Sequence, residues 1–244
     1  YDGLSAFNSS LVLLILVFIS LIYNYNLLHK CIFNMSNLKK SIVIVANGDF
    51  PCHLKPLKVL SSTSTILACD GAADTLIRNK YTPDIVIGDL DSISKKTKEK
   101  YSKIIIEAKD QSENDLRKAI NYSIDKGFNT ISIIGATGKR EDHTIGNIFS
   151  LLNYNKLNIK IFTDTGLFRV VENGQEINSF KGQNISIFST DKTIKLTTKC
   201  LKYNFNKSFI STLFKGTLNK SIKDKMTFEL SHGHILLFQE YKTL

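Results

Sequence analysis

PDIVIGDLDSI, residues 83–93, decides the fold. Its apolar centre, Ile85-Val86-Ile87, reads as a strand buried on both faces rather than an alternating, half-solvated one. The run stops at Gly88 and delivers two carboxylates, Asp89 and Asp91, two positions apart. Five other β-branched runs repeat the apolar pattern: IVIVA (42–46), TILAC (65–69), KIIIEA (103–108), TISIIG (130–135) and IKIFT (159–163). Helical spacing falls between them. In DLRKAINYSIDKG (115–127), Leu116, Ala119, Ile120 and Ile124 share a face, and 142–154 places Ile145, Ile148, Phe149 and Leu152 likewise. Buried strands alternating with helices predict a mostly parallel α/β sheet, covered on both faces, over residues 35–164.

Beyond residue 165 the period changes. GLFRVVEN, GQEINSF, GQNISIFST, TIKLTTK, LKYNF, KMTFELS and HILLFQE are short alternating runs separated by Gly, Asn and Lys. They predict an antiparallel β-domain over residues 165–244 and leave its architecture open.

The polar residues collect at strand ends. Asn47-Gly48-Asp49, Asp70-Gly71, Asp89 with Asp91, Asp110-Gln111 and Gly135-Ala136-Thr137-Gly138 each follow an apolar run. In an open parallel sheet these ends share one edge, where ligands bind. Any one of these groups alone is better explained as a turn or cap; five together point to an active site.

Two carboxylates within a few ångströms repel unless a cation lies between them or one is protonated. Mg²⁺ takes one or two carboxylates plus substrate phosphates, so Asp89 and Asp91 are metal-ligand candidates, with a bend at Gly88 to bring them together. Asp110, at the next strand end, is the natural third. The alternative, that Asp91-Ser92 caps the lysine-rich segment that follows, leaves Asp89 without a role. Asp70-Gly71-Ala72-Ala73 runs from a strand into a helix, whose free N–H groups suit phosphate. Gly135 through Arg140 adds two cations, and Arg140 can bind phosphate through two hydrogen bonds. Carboxylates facing phosphate-binding loops point to phosphoryl or nucleotidyl transfer.

Composition narrows the partners. The chain carries 32 Lys and Arg against 22 Asp and Glu, net +10, with 14 against 7 after residue 150. The lysines are scattered among Asn, Ile and Ser with no basic helix or zinc-finger spacing, which favours general solubility or an AT-rich genome over nucleic-acid binding; phosphorylated small molecules would also suit such a surface. The four cysteines fall singly, against a zinc site or a disulfide framework and for a reducing, cytoplasmic setting. Residues 11–22, LVLLILVFISLI, are apolar but short for a membrane span, with no Lys or Arg before them. The expectation is that the functional chain starts near Met35, that residues 1–34 are upstream sequence, and that there is no membrane association unless 11–22 is a real anchor.

In order, ANGDFP (46–51), CDGAAD (69–74), PDIVIGDLDSI (83–93), DQSENDLRKAI (110–120) and GATGKREDHTIGNI (135–148) resemble the signature blocks of the thiamine pyrophosphokinase family, and LKYNF (201–205) and GTLN (216–219) fall in the expected order. The resemblance implies transfer of pyrophosphate from ATP to the hydroxyethyl arm of thiamine, releasing AMP, by a homodimer with a Rossmann-like α/β nucleotide domain and a C-terminal antiparallel β-sandwich that helps hold thiamine across the dimer interface. It assigns Mg²⁺ to Asp89, Asp91 and Asp110, with Asp70 as an orienting neighbour. It assigns ATP to Asn47, Gly71, Thr137, Lys139 and Arg140. Gln111 and Asp142 would meet thiamine or its hydroxyl, Asp142 being a candidate general base, and Thr217 and Asn219 would line the thiamine pocket. Three departures stand out. Asn114-Asp115 replaces the usual Thr-Asp, Lys139 sits where glycine is frequent, and Leu218 replaces a serine. The chain also has no tryptophan to cover thiamine. Two rival readings are a glycosyltransferase using Asp-x-Asp to hold a nucleotide-sugar, and a non-catalytic nucleotide sensor.

Overall fold

The computed structural model describes residues 40–108 and 113–242; the apolar segment 11–22, Asp110 and Gln111 lie outside the described residues. Six parallel strands form the first half of a sheet: β1 (Ser41–Val45), β2 (Ile66–Cys69), β3 (Ile85–Gly88), β4 (Ile105–Glu107), β5 (Thr130–Ile134) and β6 (Asn158–Phe162). Their order across the sheet is β6-β5-β1-β2-β3-β4. Ile42 and Ile44 of β1 pack with Leu116, Ala119 and Ile120 on one face, while Val43 and Val45 pack with Leu60 and Leu76 on the other. Both faces are covered, so the strands read as continuous apolar runs rather than alternating ones.

Five helices cover them: α1 (Leu54–Ser62), α2 (Ala72–Arg78), α3 (Lys95–Lys100), α4 (Asp115–Asp125) and α5 (Glu141–Ser150). Ser94 caps α3 by accepting a hydrogen bond from Thr97 N. Asp91 is therefore not needed as its cap. Asn114 caps α4 through Arg117 N at 3.0 Å, preserving the function of the expected threonine. In α5 the expected apolar face is rotated. Ile148 and Phe149 pack on the core, but Ile145 is 60% exposed, and the side chains buried there are Asn147 and Ser150.

The sheet does not end at β6. β7 (Gly166–Glu172) pairs antiparallel with it, and β14 (His234–Glu240), β9 (Asn184–Phe188) and β12 (Gly216–Lys220) extend it to ten strands. The turn between β6 and β7 needs Gly166, because a Cβ there would collide with the Gln239 carbonyl and the Phe238 ring. A second sheet, β11 (Ser208–Phe209), β10 (Lys195–Lys199), β13 (Lys225–Leu230) and β8 (Gln175–Asn178), packs over the antiparallel half. Val171, Ile187 and Leu237 from one sheet meet Ile177, Leu196 and Phe228 from the other in a shared core, which makes this half a β-sandwich. LKYNF is a loop, not a strand. Asn204 Oδ1 accepts Leu201 N, and Asn219 holds both the N–H and the carbonyl of Tyr203. Among the described residues, no helix is long and apolar enough to cross a membrane.

Candidate functional site

β2, β3 and β4 progress to one side of β1, whereas β5 and β6 lie on the other. The chain therefore reverses direction across the sheet at β1, and ligands of open α/β sheets bind at such a point, beyond the strand carboxyl ends. A cleft of about 400 Å³ lies there, lined by Asn47, Asp70, Asp89, Asp91, Lys139 and Arg140 among others.

Three carboxylates converge in it. Asp70, Asp89 and Asp91 each offer an oxygen within 4.8 Å of the other two. The bend that brings Asp89 and Asp91 together is at Leu90, whose φ is +68°, rather than at Gly88. Asp89 Oδ1 closes the turn by accepting Asp91 N at 3.3 Å. Gly88 has a different duty: a Cβ there would lie 2.7 Å from Asp70 Cβ. Asp70 is 2% exposed, and its Oδ2 accepts Ser92 N at 2.9 Å. Among the described residues its Oδ1 is buried with no hydrogen-bond partner. Burial above all, with Asp91 and Asp115 nearby, pushes the Asp70 carboxyl up to about 6. The Ser92 hydroxyl, with Asp70 next to it, holds Asp91 below the usual carboxylate range. A buried oxygen with no partner among the described residues, in a cluster of three hard oxygen donors, fits a divalent cation such as Mg²⁺.

The loop after β5 brings positive charge into the same cleft through Lys139 and Arg140. Gly48 N donates to Gly135 O and Asp49 N to Thr137 O, so the loops after β1 and β5 are tied together. Lys139 reaches across that junction, its Nζ donating to Asn47 O at 2.8 Å and Asn47 Oδ1 at 3.0 Å. Its φ of +58° accounts for a position that suits glycine. A Cβ on Gly71 would lie 2.9 Å from Asn47 Nδ2, so Gly71 leaves room for that side chain. Arg140 makes a two-pronged ion pair with Asp142, at 2.6 and 3.1 Å. That pairing holds the Asp142 carboxyl at about 2, which makes it a weak base in this arrangement.

The cleft also includes residues that the sequence did not single out as site residues: Glu113, Asn114, Asp115, Lys118 and Asn147. Asp115 reads in sequence as the start of a helix, and Asn147 and Lys118 as helix surface; only the fold turns them inward. The predicted pair Thr217 and Asn219 lies elsewhere, in a second pocket of about 310 Å³ with Tyr203, Phe205 and Lys215. Asn219 is 3% exposed and its amide is spent on the backbone of Tyr203 and Lys220. Thr217 Oγ1 donates to Phe214 O. Between Gly216 and Asn219 the register of β12 shifts, and Leu218, at φ +57°, is thrown outward to 88% exposure. β12 and β1 are six strand spacings apart, about 25–30 Å, so within one chain the two pockets do not merge.

The family profile described as thiamin pyrophosphokinase, catalytic domain, matches residues 57–163, and that of the substrate-binding domain matches 166–238, together well over half of the chain. The chain belongs to the thiamin pyrophosphokinase family. A thiamine pyrophosphokinase of Bacillus subtilis is 29% identical over 221 residues, 82% of this chain and 98% of the relative. Thiamine pyrophosphokinase 1 of Oryza sativa is 34% identical over 98 residues, 36% of this chain, and the match spans only 37% of that relative's length. The crystal structure of the B. subtilis thiamine pyrophosphokinase superposes with a TM-score of 0.71 at 22% identity, covering 84% of this chain and all of that one. The Candida albicans thiamin pyrophosphokinase gives 0.68 at 19% identity, covering 85% and 91%. The family disfavours the glycosyltransferase and sensor readings.

Proposed function

We propose that the protein is a thiamine diphosphokinase, transferring the pyrophosphoryl group of ATP to the hydroxyethyl oxygen of thiamine and releasing AMP. The observation that carries this reading is the cluster of Asp70, Asp89 and Asp91 in one cleft with Lys139 and Arg140, in a chain of this family. Asp70, Asp89 and Asp91 would hold Mg²⁺, with Asp110 beside them as the family resemblance implies. When bound, the cation neutralises polyphosphate charge. Arg140 is released from Asp142 to bind phosphate through two N–H groups, and Lys139 trades its Asn47 contacts for a phosphate oxygen. Asn47, Gly71 and Thr137 shape the nucleotide side. Gln111 and the freed Asp142 take the thiamine side, and alignment of the thiamine hydroxyl with the β-phosphorus does most of the work.

The thiamine-binding half of the reading requires a second copy. Thr217 and Asn219 stand too far from the carboxylates of their own chain to act with them. Tyr203 of that pocket is exposed, as are Phe214 and Leu218, which flank its Lys215, Thr217 and Asn219 along the chain, and exposed apolar side chains of this kind suit a protein interface. A homodimer that sets this pocket against the partner's cleft completes the site, in a cytoplasmic enzyme. AMP formation from ATP and Mg²⁺ that depends on added thiamine tests the reaction. ATP binding without thiamine-dependent AMP overturns it.

A further inference from the structure

The carboxylate wall and the cationic wall of the cleft lie on different segments, and one buried side chain joins them. Asn147, on α5, is 9% exposed. Its Nδ2 donates to Ala136 O at 2.9 Å, in the loop after β5 that leads to Lys139 and Arg140. Its Oδ1 accepts Asn114 Nδ2 at 2.9 Å. Asn114 Oδ1 in turn accepts Arg117 N and starts α4, the helix whose first residue, Asp115, lies in the cleft. One turn further, Lys118 Nζ donates to Asp115 Oδ1 at 3.2 Å and to Ala108 O at 3.0 Å, fixing the end of the strand-β4 side. Both functional groups of the Asn147 amide are therefore used, in opposite directions, and both partners belong to the cleft wall.

We propose that Asn147 is a positioning residue for the pyrophosphoryl transfer proposed above. It sets the spacing between the start of α4 and the loop 135–140. An amide is suited to this because it donates on one side and accepts on the other, and a buried bridge of two short hydrogen bonds tolerates little displacement. The inference rests on the pyrophosphokinase reading for its catalytic part. A carboxylate at 147 would still accept from Asn114 but would face the Ala136 carbonyl with an oxygen. A serine at 114 would keep the helix cap while withdrawing the donor to Asn147.

The test is a mutant cycle of Asn114→Ser, Asn147→Ser and the double variant, read as kcat, as KM for ATP and thiamine, and as thermal midpoint. Asn114→Ser is expected to melt close to wild type, to lower kcat about 10- to 100-fold through misplacement of the reacting groups, and to change each KM less than about threefold. The double variant should lose no more kcat than the worse single variant, since both break one bridge. Asn147→Asp should be as impaired as Asn147→Ser, because the Ala136 contact is the one it cannot restore. Unchanged kcat in Asn114→Ser, or losses that multiply in the double variant, overturns the bridge while wild-type activity stands. A wild type that makes no thiamine-dependent AMP overturns the reaction reading itself, a different result from an active wild type with indifferent variants.

Discussion

Replacing Asp89 with asparagine should make the metal-free protein more stable and the enzyme inactive. Asparagine keeps an Oδ1 that can accept Asp91 N, so the turn survives and only charge is removed. Oxygens of Asp70 and Asp89 come within 4.8 Å. Two unit charges at that distance repel by about 3.5 kcal/mol at an effective dielectric of about 20 and by about 0.9 kcal/mol in bulk water. Asp70 is buried, but Asp89 faces the open cleft, so the relief lies nearer the lower figure, about 1–2 kcal/mol. In a chain of this size that raises the midpoint by about 2–8 °C in EDTA near neutral pH. Mg²⁺ should reverse the order. At about 100 times its dissociation constant it stabilises wild type by about 2.7 kcal/mol, and the variant gains little. Thiamine-dependent AMP formation should fall about 100-fold or more. Differential scanning fluorimetry with EDTA and with titrated Mg²⁺, beside an AMP assay, reads all three. A variant that melts below wild type in EDTA, or that gains as much from Mg²⁺, refutes the reasoning.

Other outcomes follow from the same geometry. Mixing Asp89→Asn chains with Tyr203→Ala chains should restore about a quarter of wild-type activity, because half of randomly formed dimers carry one intact composite site of the two; no restoration on mixing refutes the shared site. Asp74 accepts hydrogen bonds from Ser94 N, Ser94 Oγ and Thr97 Oγ1. Burial pushes its carboxyl up, but these bonds outweigh it and hold the carboxyl low. Its stabilising effect is therefore full above the ordinary carboxylate value, about 3.9, and is lost as pH falls through the lower folded value. Urea unfolding of Asp74→Asn should show a deficit near neutral pH that closes below about pH 4, and a deficit unchanged down to pH 2 argues against it. Gly138→Ala, at φ +85° and with its new methyl against the Asp49 side chain, should destabilise by about 1–2 kcal/mol and raise KM for ATP more than that for thiamine, as steady-state kinetics would reveal.

The alternation of buried apolar runs with helical spacing was enough to determine a parallel sheet covered on both faces, because strands buried on both sides read as near-continuous apolar runs rather than alternating ones. The same rule made the site legible: Asp70, Asp89 and Asn47 stand where apolar runs stop, and a parallel sheet delivers all such ends to one edge. The switch to short alternating runs after residue 165 likewise determined an antiparallel β-domain, while the packing of its two sheets into a sandwich came from the tertiary structure. Local pattern could not assign the inward turn of Asp115, Lys118 and Asn147, since helix positions face the cleft or the solvent according to what packs beside them. Nor could it place the bend at Leu90, whose positive φ is imposed by the turn closed through Asp89, or reduce LKYNF to a loop, which depends on Asn219 sixteen residues after Tyr203. The separation of Thr217 and Asn219 from the carboxylates belongs to the order of strands in the sheet. Strand order is set by long-range pairing, which no window of sequence contains; the tertiary structure alone decided that the two pockets stand six strands apart.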